Sequence, residues 1–284
     1  MIMAVLLNSV SPVPAFDDPN AETGTRGNPD RNAAKKTNPA EVERGRVLKR
    51  TYSFDAAGKE MEYAVYVPKS YDGTRDFPLI VALHGLHSNP RQILGYPGFV
   101  SRAEKHGYLL AAPMGYNTRG WYGSLGKGGW RRGDPKNLGE LSEQDVMNVL
   151  KIVRSQFQVD SERIYLYGHS MGGGGAMHLA MTYPNIWAAI AVVAPAAYKS
   201  LDELTKARHI PAMVVQGDRD PLVPVRQVRR WVEKMKELEM DHEYIEVKDG
   251  GHVLVAFQKF DDVFRFFADR TRPSSEEDKA AAKP

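Results

Sequence analysis

Five short runs in this chain, PLIVALHG, YLLAAPMG, RIYLYGHS, AAIAVVAP and PAMVVQG, are almost unbroken in their apolar character. A strand with one covered face alternates apolar and polar residues, whereas a strand covered on both faces does not, so these runs fit the inner strands of a parallel sheet. Between them lie segments of helical length and period. SEQDVMNVLKIVRSQF opens on Ser142 as an N-cap, MGGGGAMHLAMTYP is closed by Pro184, and VRQVRRWVEKMKELEM and VAFQKFDDVFRFFADRT are amphipathic. Strands alternating with helices, joined by right-handed crossovers, predict an α/β fold with a mostly parallel central sheet and helices on both faces. RVLKRTYSF and MEYAVYVP alternate around the turn DAAGKE, which predicts an antiparallel N-terminal hairpin, and HEYIEVKDGGH adds a last strand. In such a sheet the reactive groups gather beyond the carboxyl ends of the strands.

The chain has 284 residues, within the range of one α/β domain with tails. Its organisation reads as a leader and linker over 1–43, a folded domain over 44–271 and a tail over 272–284. The two ends are poor in large apolar groups over most of their length and cannot offset the entropy of ordering. The opening MIMAVLLNSVSPVPAF has an apolar stretch before Val13-Pro14-Ala15 but no positively charged n-region. It reads as an imperfect secretory signal, giving a secreted or periplasmic expectation with a cytoplasmic alternative. A net charge of +3 is too small an excess to imply a nucleic-acid partner, and Arg226, Arg229 and Arg230 read as a solvated helix face. No run is long enough to imply a membrane span. The absence of cysteine excludes disulfides, thiolate zinc sites and a cysteine nucleophile.

The chemistry concentrates at Gly168-His169-Ser170-Met171-Gly172, a G-x-S-x-G pattern with a strand before it and a helix after it. That context makes a sharp turn exposing the serine hydroxyl, and the glycines remove side chains that would clash there. A serine hydroxyl becomes a useful nucleophile only when a base takes its proton. Of the eight histidines, His252 in KDGGHVLVAF stands after the last predicted strand and before the last helix, where its ring reaches across the strand tips. His242 begins a strand, and His106, His178 and His209 have ordinary helix or loop settings. His169 shapes the turn or lines the pocket. The acid is expected after a strand between serine and histidine, where VVQGDRDPLVPV offers Asp218 and Asp220. Asp220, fixed by the prolines after it, is preferred, while Asp218 serves the turn. The N–H groups of Met171 and of Leu86, in ALHGLHSNP, are the expected oxyanion donors. His84 braces that loop, and His87 and Ser88 line the pocket.

The motifs LHG, GHSMGG, GDRDPLVP and GGH, in this order, resemble those of the serine esterases of the α/β-hydrolase superfamily. The likeness runs from about Arg46 to Thr271 and points to the branch holding feruloyl and acetylxylan esterases, polyhydroxybutyrate-depolymerase-like proteins and prolyl-oligopeptidase-type hydrolases. The resemblance implies the triad Ser170, Asp220 and His252 and the oxyanion hole of Leu86 and Met171. It implies no metal or organic cofactor. The expected substrate is a small-molecule or polymeric ester, with carbohydrate-linked, aromatic or short-chain acyl groups foremost, and the expected assembly is a monomer or weak dimer. GHSMGGGG is also similar to the elbow of cutinase-like polyester hydrolases, and a prolyl-oligopeptidase-type peptidase is a further alternative. The long segment MGYNTRGWYGSLGKGGWRRGDPKNLGELSEQD carries Tyr116, Trp121, Tyr122 and Trp130 among glycines. Loops of this length are usually functional. Trp121, Tyr122 and Trp130 are therefore candidates to contact substrate, the tryptophans either stacking on a ring of it or pinning the loop to the body. Glu143 and Asp145 read as helix-start charges.

Overall fold

The computed structural model describes residues 42–129 and 131–273. Among them, eight strands form one sheet in the order β1-β2-β4-β3-β5-β6-β7-β8. Their ranges are β1 Val47–Phe54, β2 Lys59–Tyr66, β3 Phe77–Leu83, β4 Leu109–Pro113, β5 Val159–His169, β6 Ala189–Val193, β7 Ala212–Gly217 and β8 His242–Val247. The β1–β2 hairpin is antiparallel, as its alternation predicts, and β2 meets β4 antiparallel. Every other pairing is parallel. The strands β3, β4, β6 and β7 are buried along their whole length, which is the cause of their continuous apolar runs.

Alternate residues of the strands β3, β5, β6 and β7 enter two separate cores. Leu79, Val81, Leu166, Val192 and Val214 pack with α3 (Leu138–Gln156), α4 (Met171–Thr182) and α5 (Val225–Glu237). Ile80, Ala82, Tyr167, Val193 and Val215 face the opposite way, against α1 (Pro90–Leu94), α2 (Phe99–His106), α6 (Val255–Gln258) and α7 (Phe260–Ala268). The second core is built on aromatic rings, with Phe99 stacked on Phe260 at 4.7 Å between centroids. This is the period-2 geometry of a sheet with helices on both faces.

Three boundaries differ from the sequence reading. The helix α3 starts at Leu138, four residues before Ser142. Ser142 lies inside it, fully buried, with its Oγ accepting the N–H of Tyr122 at 2.9 Å. The C-terminal helical segment is broken at Lys259, whose φ of −119° leaves the helical region, into α6 and α7. The helices α1 and α2 lie in a stretch punctuated by Pro90, Gly95, Pro97 and Gly98, where no long apolar period can develop. There α1 is started by Asn89, whose side chain accepts from the N–H groups of Arg91 and Gln92.

Candidate active site

Ser170 joins β5 to α4 with φ 58° and ψ −118°, a left-handed backbone that costs a non-glycine residue about 1–3 kcal/mol. Neighbouring backbone holds it there. Its N–H donates to Val193 at 2.9 Å, and its carbonyl accepts from Ala196 at 3.0 Å and Gly174 at 3.1 Å. The turn closes so tightly that a Cβ on Gly172 would stand 2.0 Å from the Leu83 carbonyl oxygen. The amide of Met171 is at the start of α4, among the first four N–H groups that a helix leaves without intrahelical partners. Gly85, next to Leu86, comes so close that a Cβ on it would be 3.5 Å from the Ser170 Cβ.

Across the strand tips, His252 and Asp220 are both buried, and the His252 Nδ1 donates to Asp220 Oδ2 at 2.7 Å. The carboxylate is saturated with donors. Its Oδ1 accepts the N–H groups of Leu222 and Val223 at 2.8 and 2.9 Å, and Oδ2 accepts Gln216 Nε2 at 3.2 Å. Burial raises its pKa, but the Val223 N–H, the His252 ring and the Leu222 N–H more than reverse this and hold it below the usual carboxylate value. Asp218, the other acid of that loop, places its N–H on the Val247 carbonyl at 3.1 Å. Gln216 escaped the sequence reading. Its signal was one polar residue inside the run PAMVVQG, and its buried amide also donates to the carbonyls of Gly217 and Val223.

His169 links the two halves. Its ring centroid lies 5.0 Å from that of His252, and its Nε2 donates to the His252 carbonyl at 3.0 Å. The phenol of Tyr96 donates to its Nδ1 at 2.8 Å. Burial first, and then the nearby His252, lower its pKa to about 4 against the opposing bond to the His252 carbonyl, so the ring is neutral near pH 7. The expectation that His169 touches substrate is corrected, because the side chain is 4% exposed and both ring nitrogens are occupied by protein. His84 braces its loop as expected, its ring nitrogens lying 2.8 and 2.9 Å from the carbonyl oxygens of Gly85 and Met114, to one of which the ring N–H donates. His87 is exposed, with a left-handed φ of 63°, and faces a cleft of about 530 Å³ with Leu86, Ser88, Gln92, Gly95 and Tyr96.

The long loop after β4 divides its aromatics. Tyr122 is fully buried, with its hydroxyl donating to the His84 carbonyl at 3.2 Å, so a substrate contact for it is corrected to a core role. Gly175 of α4 admits its ring, since a Cβ there would lie 2.5 Å from Tyr122. Trp121 is half-buried, 5.8 Å between centroids from the exposed Tyr198. Trp130 lies outside the described residues. Glu143 and Asp145 are corrected too, because both lie beyond the first turn of α3. Glu143 accepts from Tyr183 at 2.7 Å and meets the His178 Nε2 at 2.5 Å, crossing to α4. Asp145 is fully buried and accepts from the Tyr52 hydroxyl and the Gly115 N–H, each at 2.6 Å, anchoring the start of the loop.

The large hydrophobic side chains exposed among the described residues are Leu86, Tyr198, Leu222, Val253 and Leu254. All stand on loops that follow strands β3, β6, β7 and β8, as Ser170 follows β5. This apolar rim borders the candidate site.

The fold is shared with solved esterases. A ferulic acid esterase from Anaeromyces mucronatus superposes with a TM-score of 0.63 at 18% identity, covering 80% of this chain and 91% of that one. In sequence, the S-formylglutathione hydrolase of Rattus norvegicus is 29% identical over 48% of this chain and 52% of its own length. Cutinase 2 of Thermobifida cellulosilytica is 31% identical over 35% of this chain and 36% of its own. The chain thus spans about half the length of the S-formylglutathione hydrolase it matches. The family model named Esterase matches residues 55–260, most of the described fold. The chain belongs to this esterase family, built on the α/β-hydrolase fold.

Proposed function

We propose that residues 44–271 form a carboxylic ester hydrolase that works through an acyl-enzyme on Ser170. With Nδ1 of His252 committed to Asp220, Nε2 takes the proton of the Ser170 hydroxyl as Oγ attacks the ester carbonyl. The amides of Met171 and Leu86 hold the oxyanion, and losing such a donor typically costs about 3 kcal/mol of barrier. The imidazolium then protonates the leaving alcohol, and water releases the acid by the same route in reverse. Asp220, kept ionised by its four donors, stabilises the imidazolium at each half-reaction. The observation that carries this reading is the buried 2.7 Å pair of Asp220 and His252, tied through His169 to the strained corner at Ser170.

For the substrate, the half-buried Trp121 beside the exposed Tyr198 supports an ester with a ring in its acyl or alcohol part. The exposed apolar side chains favour a second reading, a polyester hydrolase, because a polymer chain extends beyond the reacting ester and needs apolar surface around it. The test is a panel of p-nitrophenyl acetate and butyrate, methyl ferulate, a polyester film and aminoacyl-nitroanilides, run with wild type and Ser170→Ala. Ester turnover that falls at least about a thousandfold in Ser170→Ala, with fluorophosphonate labelling of wild type alone, is the expected result. Nitroanilide turnover exceeding ester turnover overturns the reading in favour of a peptidase.

A further inference from the structure

His252 follows Gly250 and Gly251 and precedes Val253 and Leu254, which are 52% and 62% exposed. A base on such a segment needs its main chain fixed as well as its ring. Asp220 holds the ring, and the carbonyl of His252 is held by His169 Nε2 at 3.0 Å. A carbonyl oxygen only accepts, so Nε2 of His169 carries its proton, and Nδ1 of the neutral ring is left as an acceptor. The Tyr96 hydroxyl fills that acceptor at 2.8 Å. The line Tyr96 O–H to His169 to the His252 carbonyl therefore has one internally consistent proton arrangement. Its outer end is packed as well, with the Tyr96 ring edge-on to Phe257 of α6 at 4.9 Å between centroids. That ring also lines the cleft beside Leu86 and His87.

We propose that Tyr96 and His169 are positioning residues, which fix the main chain of His252 relative to Ser170 and join the cleft wall to the base-bearing loop. The inference rests on the reading of Ser170 and His252 as nucleophile and base. His169 is joined to Ser170 by a peptide bond, so its bond to the His252 carbonyl sets the spacing of the two loops directly. The His252 ring is bonded to Asp220 and lies 5.0 Å between centroids from the His169 ring. When the His252 main chain slackens, the 2.7 Å contact of its ring with the Asp220 carboxylate loosens and the ring is no longer held in one orientation.

The experiment compares wild type with His169→Phe, His169→Gln, Tyr96→Phe, Ser170→Ala and His252→Ala. It measures kcat and KM on p-nitrophenyl acetate across the acid limb of the pH profile, together with Tm. His169→Phe removes the donor, and kcat should fall about tenfold or more with KM within about twofold, since small misplacements of reacting groups are costly. Its acid limb should move as well, a change that looser packing alone does not produce. Glutamine extends an amide N–H toward the place of Nε2–H, so His169→Gln should recover most of kcat and the wild-type acid limb. Tyr96→Phe keeps the ring and should lower kcat by about threefold, with the limb moving the same way. Wild-type kcat and acid limb in His169→Phe overturn the proposal. So do equal losses in the glutamine and phenylalanine variants with an unmoved limb. If His169→Phe does not fold, an unaltered Tyr96→Phe profile overturns it equally. Activity retained in Ser170→Ala or His252→Ala defeats the triad instead, which separates the two failures.

Discussion

Asp145 is a carboxylate on α3 with no access to solvent, and its environment sets it apart from Asp220. Burial raises its pKa to about 6, against the bonds from Tyr52, Gly115 and Tyr116 that favour the charged form. A folded-state pKa above the ordinary 3.8 means that the fold holds the neutral acid better than the anion. Above about pH 6 the native state therefore bears a cost that fades as the pH falls toward 4 and is absent below it. A displacement of that size is equivalent to about 3 kcal/mol. Asp145→Asn removes the titration while keeping one acceptor for the loop. The unfolding free energy of wild type relative to this variant should rise as pH is lowered from 7 to 4, measured by urea denaturation. A difference constant with pH shows that Asp145 does not titrate in this range. Asp220 has the opposite sign. Its depressed pKa contributes stability above the ordinary value, and that contribution is lost as the pH falls through the folded pKa.

At the scale of elements, Tyr122 shows what local sequence can and cannot convey. An aromatic residue among glycines reads as an exposed contact, yet its ring fills the space left by Gly175, and its backbone and hydroxyl bond to Ser142 and His84. Tyr122→Ala should lose about 3–5 kcal/mol in thermal or chemical unfolding, as large-to-small core changes do. Tyr122→Phe keeps the packing and should lose only about 1 kcal/mol. If alanine proves as mild as phenylalanine, the loop is not part of the core. The strands were legible because burial on both faces erases alternation, a one-dimensional signal. The Ser170 turn and the order of Asp220 and His252 were legible because residues flanking them in sequence determine where strands end. What escaped depends on distant pairings. Ser142 has the chemistry of a cap but is buried inside α3, and Gln216 joins the site only because β7 delivers its amide to the Asp220 loop. Tyr96 sits among glycine and proline with no periodicity at all, and its place beside His169 follows from how α1 and α2 pack on the sheet.

For the molecule as a whole, the distribution of exposed apolar side chains is the main clue to what it works on. Leu222, Val253 and Leu254 are 68%, 52% and 62% exposed, on the loops that also carry Asp220 and His252. Exposed side chains of this kind do little for stability, because most of their surface faces water in both folded and unfolded states. Covering them with an apolar substrate is favourable by about 25 cal/mol per Å². Replacing all three by glutamine should therefore leave Tm within a degree or two and kcat/KM on p-nitrophenyl acetate within about twofold, since acetyl is too small to reach them. On substrates that extend across the rim, a long-chain p-nitrophenyl ester or a polyester film, the same variant should lose about tenfold or more in kcat/KM or in film binding. Equal losses on acetate and on the extended esters place the effect in the positions of Asp220 and His252 themselves. No loss on either leaves the Trp121 and Tyr198 pair as the surface that receives the substrate body. The two rings are set at 57° to each other, so a planar acyl group packs on one of them at a time, and Trp121→Ala with methyl ferulate is the complementary measurement.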